Sequence, residues 1–122
     1  MKPGKQGLTR IIAAAGYSLN GLKTCFVNEA AFRQEVLLFV MLLPILFLLP
    51  VSGVMKIVLL LANTLVLIVE LLNSAVEAIV DKTSPEFNDL AKRAKDMASA
   101  AVLLSLLVAG SAWTVAIAAL LL

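Results

Sequence analysis

Three apolar runs dominate this chain, at residues 36–51, 54–80 and 97–122, and each approaches or exceeds the length that crosses the hydrocarbon core of a bilayer. In lipid such a run has few ways to satisfy its backbone. A helix closes its hydrogen bonds within the segment, so each run predicts a membrane helix. The first reaches spanning length by including the mixed stretch from Glu29, at a rise of about 1.5 Å per residue. The predicted spans are therefore about 29–50, 54–80 and 97–121, within a single all-α membrane-embedded domain covering residues 1–122. Pro44 lies inside the first span and predicts a kink or local adjustment without a break. Pro50, Ser52 and Gly53 predict a tight connection, and Ser84-Pro85 marks a turn or helix start in a polar loop over residues 81–96. With 61% hydrophobic and 15% charged residues, the chain is more apolar and less charged than a water-soluble domain of its size.

Ahead of the spans, residues of about 8–27 predict a helix capped by Thr9 or a neighbour. Ile11, Ala14, Ala15, Leu22 and Phe26 suit one side of it, with Arg10, Tyr17, Ser18 and Gly21 nearer another. Two readings of that pattern stand: a helix lying in the membrane interface, or one packed on other protein. Residues 1–6 are rich in Gly, Pro and Lys and are expected to be disordered. No cleavable signal is expected, because the first strongly apolar run begins only near Val36.

The net charge of +2 is too small to suggest nucleic acid, but its distribution is informative. Lys2, Lys5, Arg10, Lys23 and Arg33 precede the first span, and Lys82, Lys92, Arg93 and Lys95 flank the second loop. The first connection has only Lys56, and the C-terminus has no cation. The positive-inside rule then puts the N-terminus and second loop in the cytoplasm, with the C-terminus outward.

Within the second span, Glu70, Asn73, Glu77 and Asp81 fall in an arc of about 80° at helical spacing, and Asn63 joins them. Each ionisable group at the membrane centre costs about 2.5–3.5 kcal/mol on insertion scales, so several on one face imply a protein-lined or wet site. The alternative is that they bind helices together by hydrogen bonds. Glu29 and Arg33 stand four apart, which favours a local ion pair, and Glu35 follows. Lys95 and Ser99 are neighbours on one face of the third span. Glu29, Glu77 and Asp96 share a depth near the cytoplasmic boundary. Hard oxygen donors of this kind suit Mg²⁺ with phosphate oxygens completing its shell. Lys92, Arg93 and Lys95 suit a polyphosphate or, equally, anionic headgroups.

Other chemistry is excluded. The chain has no histidine, so acid–base work falls to carboxylates or lysine. One cysteine, Cys25, makes no intrachain disulfide. Neither G-x-x-x-x-G-K-[ST] nor G-x-G-x-x-G occurs. Phosphoryl transfer without such a fold would rest on positioning, metal and charge. Three spans enclose so many polar groups poorly, which predicts an oligomer.

The segments Gly7-Leu-Thr-Arg-Ile-Ile, Ala15-Gly-Tyr-Ser, Asn28-Glu-Ala-Ala-Phe-Arg-Gln-Glu35, Val69-Glu-Leu-Leu-Asn-Ser-Ala-Val-Glu-Ala-Ile-Val-Asp81 and Ala94-Lys-Asp-Met-Ala-Ser-Ala-Ala101 together resemble the small prokaryotic integral-membrane diacylglycerol kinases. The resemblance covers nearly the whole chain, in order. It implies a homotrimer of three-span subunits in the bacterial inner membrane, each with an N-terminal surface helix, and active sites shared between neighbours. It also implies transfer of the ATP γ-phosphoryl group to diacylglycerol. In those terms Glu70 resembles the general base, and Glu29 and Glu77 resemble ligands of the nucleotide-bound Mg²⁺. Lys95 and Asp96 match the nucleotide-binding pair, Arg10 and Tyr17 match further nucleotide-side positions, and Glu86, Phe87 and Asn88 occupy the loop that also contacts nucleotide.

The same resemblance makes Arg10, Ala14, Ala15, Gly16, Tyr17, Ser18 and Leu19 lipid-substrate positions, together with Lys23, Thr24, Cys25 and Phe26. Ala31, Phe32, Arg33, Gln34, Glu35, Glu70 and Ser99 complete that set, while Asn73 matches a family position of unassigned role. The chain departs from the pattern at Glu86-Phe87-Asn88, where the family has aromatic-tyrosine and histidine character, and at Leu19, where it has tryptophan. Two other functions compete: the related undecaprenol kinase, whose acid core is shared, and a small ion- or proton-coupled transporter. A carrier would place its key acid near the midplane, whereas an ATP site needs charge at one boundary.

Overall fold

The computed structural model describes residues 6–122 and consists of four helices: α1 (Gly7–Asn28), α2 (Ala30–Leu48), α3 (Gly53–Thr83) and α4 (Asp89–Leu121). The expectations for residues 1–5, including Lys2 and Lys5, lie outside the described residues. Three of the helices, α2, α3 and α4, are long and apolar enough to cross a membrane. At 1.5 Å per residue α2 is about 28 Å long, close to one hydrocarbon thickness, while α3 and α4 reach about 46 and 50 Å. The extra turns of α3 and α4 carry Glu77, Asp81, Lys92, Lys95 and Asp96.

Helix α1 starts earlier than the sequence suggests. Thr9 is inside it, and the N-cap is Gln6, whose side chain makes no capping bond. The backbone turns in through Gly7 at φ 59, a left-handed conformation that threonine would adopt only under strain. Pro44 is accommodated within a continuous α2. The α2–α3 connection is as tight as expected, and each side of it is capped. Ser52 Oγ accepts from the Met55 N–H at 3.1 Å, and Lys56 Nζ donates to the Phe47 carbonyl at 2.7 Å, near the end of α2.

The polar loop expected over 81–96 is much shorter. Helix α3 continues to Thr83, and α4 begins at Asp89, N-capped by Asn88 Oδ1 accepting from Ala91 N–H at 2.8 Å. The residues on either side are polar but helix-forming, so the helices outrun their apolar stretches.

α3 is the central element. It packs most extensively on α4, then on α2, and makes a smaller contact with α1. Leu46, Leu59 and Ala116, from α2, α3 and α4, are wholly buried together, with Met55, Ala112 and Trp113 against them. Higher on the same α3–α4 seam, Trp113 Nε1 donates to Asn63 Oδ1 at 3.0 Å. Asn63, 8% exposed, therefore ties α3 to α4 and does not belong with the acidic groups of the same stripe. Most other large apolar side chains face outward, including Leu37, Leu61, Leu72 and Leu104. Such faces suit lipid or neighbouring subunits.

Candidate active site

The α1–α3 crossing opens a cleft of about 980 Å³ to which both helices contribute polar as well as apolar side chains. From α1 it receives Ser18, Asn20, Gly21, Thr24, Cys25 and Asn28, with Glu29 at the junction of α1 and α2. From α3 it receives Leu71, Ser74, Ala75, Glu77, Ala78 and Asp81. Their recurrence every three or four residues is the signature of one helix face. Cys25, buried, donates from Sγ to Ser74 Oγ at 3.5 Å, the contact that draws the two helices together.

Burial falls steadily along the acidic face of α3. Glu70 is 5% exposed, Asn73 and Glu77 are half-buried, and the Asp81 side chain is 65% exposed. Asn73 Nδ2 donates to Glu77 Oε1 at 2.8 Å, which fixes that carboxylate one turn away. The other end of the same amide, Asn73 Oδ1, is buried and has no partner. Glu70 lies outside the cleft lining, deeper along the helix, where Asn73 is its polar neighbour and Glu35, Glu77 and Glu29 are within electrostatic reach. Like charges at that range repel, so a cation near them is favoured over its absence.

Where α3 ends, Asp81 Oδ1 accepts from Lys95 Nζ at 2.6 Å, so the first turns of α4 are tied beside the cleft. Asp96 instead pairs with Lys92 at 2.6 Å on the exposed side of α4. The expected trio of Glu29, Glu77 and Asp96 is thus not gathered. Among the described residues no group of three metal-ligating side chains assembles. Of the three carboxylates lining the cleft, Asp81 is paired with Lys95, and the other two, Glu29 and Glu77, are of the kind and number Mg²⁺ takes from a protein when phosphate oxygens supply the remainder.

The expected Glu29–Arg33 ion pair is also absent. Glu29 is not helical: its φ of −119 and ψ of 110 break the chain between α1 and α2. The four-residue spacing rule holds only inside one helix. Arg33 turns back instead, and its Nη1 donates to the carbonyls of Phe26 and Val27 at 2.8 and 2.9 Å.

Of the positions singled out from sequence, Ser18, Thr24, Cys25, Glu29 and Glu77 meet at the cleft. Arg10, Ala14, Ala15, Gly16, Tyr17, Leu19, Lys23 and Phe26 lie on α1 outside its lining, and Ala31, Gln34 and Ser99 are exposed elsewhere. Phe32 is 3% exposed and is a packing residue of the chain's own core. Glu35 lines a smaller crevice of about 220 Å³ with Phe39, Asn63 and Trp113. Asn88 is occupied as the α4 cap, and Phe87 beside it is 83% exposed. Asn20, Asn28 and Ser74 were not foreseen. The four-residue spacing of Asn20, Thr24 and Asn28 along α1 was the available signal.

This arrangement combines an open acidic cleft, a cation at its rim and a buried acid below it, and the chain that carries it is similar in sequence to proteins of known kind. The family model for prokaryotic diacylglycerol kinase matches residues 16–117. A diacylglycerol kinase of Pseudomonas aeruginosa is 52% identical over 110 residues, covering 90% of this chain and 89% of that protein. That of Escherichia coli (strain K12) is 48% identical over 109 residues, or 89% of each chain, and that of Haemophilus influenzae 44% over 107, or 88% and 91%. The chain belongs to the prokaryotic diacylglycerol kinase family.

Proposed function

We propose that this chain transfers the γ-phosphoryl group of ATP to the hydroxyl of diacylglycerol, giving phosphatidic acid and ADP. One observation carries the assignment of roles. A single helix face runs from a water-open carboxylate cleft at Glu77 and Asp81 down to a buried carboxylate at Glu70. Glu70 and Asp81 are about 16 Å apart along that axis. A soluble donor and a lipid acceptor need such a path, because neither leaves its own phase. The names of the relatives favour diacylglycerol and give no support to undecaprenol or to ion transport.

The acceptor oxygen forms a bond to the γ-phosphorus while the bond to the β–γ bridging oxygen breaks, and the hydroxyl proton passes to the Glu70 carboxylate. Burial beneath the cleft keeps water from that carboxylate, which favours the lipid alcohol over hydrolysis. Glu29 and Glu77 are the groups to hold Mg²⁺, which when bound offsets triphosphate charge. The Asn73 amide holds Glu77 in orientation. Lys95 exchanges Asp81 for phosphate oxygens, and Asp96, Arg10, Tyr17 and residues 86–88 complete the nucleotide side.

The lipid side is formed by Arg10, by the α1 positions 14–19 and 23–26, and by Ala31, Gln34, Glu35, Glu70 and Ser99, whereas Phe32 is packed in the core and Arg33 is engaged on the α1 carbonyls. Helix α1 lies in the interface, with Leu8, Ile11, Ile12 and Leu19 toward acyl chains. The subunits form a homotrimer in the bacterial inner membrane, N-terminus and residues 84–88 cytoplasmic. The breadth of the cleft and the exposed Asp96 and Ser99 suit sites completed by a neighbour. The test is the full chain in vesicles with MgATP and either diacylglycerol or undecaprenol. Phosphatidic acid is the expected product. Preferential phosphorylation of undecaprenol, or no transfer to either lipid, overturns the assignment.

A further inference from the structure

Helix α1 ends without a glycine cap, and its last carbonyls are closed in another way. The Glu29 N–H donates to the Cys25 carbonyl at 2.8 Å, and the Arg33 guanidinium closes the next two, of Phe26 and Val27. Arg33 also donates its own N–H to the Glu29 carbonyl at 3.2 Å. The residue that breaks the chain between α1 and α2 is therefore gripped from both sides by one arginine, through backbone ahead of it and backbone behind it. The positive guanidinium stands at the negative end of the α1 dipole.

That geometry has a consequence for charge. Among the described residues the Glu29 carboxylate has no hydrogen-bond or ion-pair partner, although an arginine lies four residues away. An arginine–carboxylate fork would fix Glu29 but would also neutralise it and compete with a cation for its oxygens. Carbonyl capping fixes the backbone and leaves the carboxylate negative.

We propose that Arg33 is a positioning residue for phosphoryl transfer. By clamping the end of α1 to the start of α2 it sets where the unneutralised Glu29 carboxylate stands in the α1–α3 cleft. Arg33 then acts on the metal–nucleotide side of the reaction, through Glu29, and not on the lipid. The proposal rests on Glu29 being a metal ligand.

The test uses the full chain in lipid vesicles, Mn²⁺ with a non-hydrolysable ATP analogue as the probe, and paramagnetic resonance to count bound metal. Arg33→Gln, Glu29→Gln and the double variant form a cycle. Arg33→Gln is expected to weaken Mn²⁺–nucleotide binding by roughly 10-fold, the low end for a group that orients a ligand. In the Glu29→Gln background the same change is expected to have no further effect, and the apparent KM for diacylglycerol is expected to stay unchanged in Arg33→Gln. Arg33→Lys keeps the charge without the planar fork and is expected to fall between, which serves the test if Arg33→Gln fails to assemble. Two independent losses that multiply in the double variant overturn the proposal, as does a rise in diacylglycerol KM with Mn²⁺ binding intact. Unaltered Mn²⁺ binding in Glu29→Gln itself overturns the proposal together with the metal-ligand reading beneath it. A lipid effect confined to Arg33 leaves that reading standing.

Discussion

Helix α3 places polar groups of similar chemistry in two neighbourhoods, and the two are handled in opposite ways. Around Asn63 the carbonyl oxygen is answered within the fold: Trp113 donates to it from α4, in a crevice whose remaining lining is apolar apart from Glu35. Around Glu70, Asn73 and Glu77, about two to four turns of helix further on, donors are too few for the acceptors. Asn73 serves Glu77 and leaves its own oxygen unmet, and several carboxylates face one another. The first region resembles a finished interface between helices. The second leaves acceptors that the fold itself does not answer, which is what the proposed metal and lipid hydroxyl would do. A polar residue in a membrane helix is thus informative less by its presence than by whether the fold answers it.

The sharpest way to break the comparison is at Glu70. Glu70→Gln keeps shape and burial but removes the proton acceptor, and turnover is expected to fall by at least about 10²-fold. Phosphatidic acid formation in vesicles measures it, with assembly checked on the same sample. Undiminished transfer would move Glu70 into the class of Asn63. Next comes Glu77→Gln, expected to weaken MgATP affinity and rate by roughly 10-fold, the scale seen when metal sites lose a supporting group. A defect in assembly alone would make Glu77 a helix-binding residue. In the other region, Trp113→Phe should cost about 1 kcal/mol of unfolding free energy in detergent–lipid mixtures, the scale of an interhelical membrane hydrogen bond. An equal loss of stability from Asn73→Ala would erase the distinction. The smallest effect belongs to the rim: Asp81→Asn should change stability by under about 1 kcal/mol, because the Lys95 pair is solvent-exposed. A large loss there would show that the α3–α4 end is held by charge.

The membrane helices were legible because apolar length alone specifies them. Their ends were not. Residues 81–83 and 89–96 lack the apolar pattern, yet Thr83 and the Asn88 cap extend both helices well past it, and only residues 84–88 remain between. The acidic face was legible from spacing within one continuous helix. The Glu29–Arg33 relation failed for the complementary reason, since spacing says nothing across a break. Asn63 was recognised as anomalous but not understood. Its partner lies 50 residues away, and only the packing of α4 on α3 brings the indole to it.

Lys56 offers a last point. It lies in the first turn of α3, the sole basic residue at this end of the α2–α3 pair, and its ammonium is bent back onto the Phe47 carbonyl, against the negative end of α2. The orientation of a membrane segment follows the balance of positive charge flanking its two ends. With that side chain folded over the end of α2, the turn presents its one cation to a helix dipole, and the other cations of the described residues stand toward the opposite ends of α2, α3 and α4.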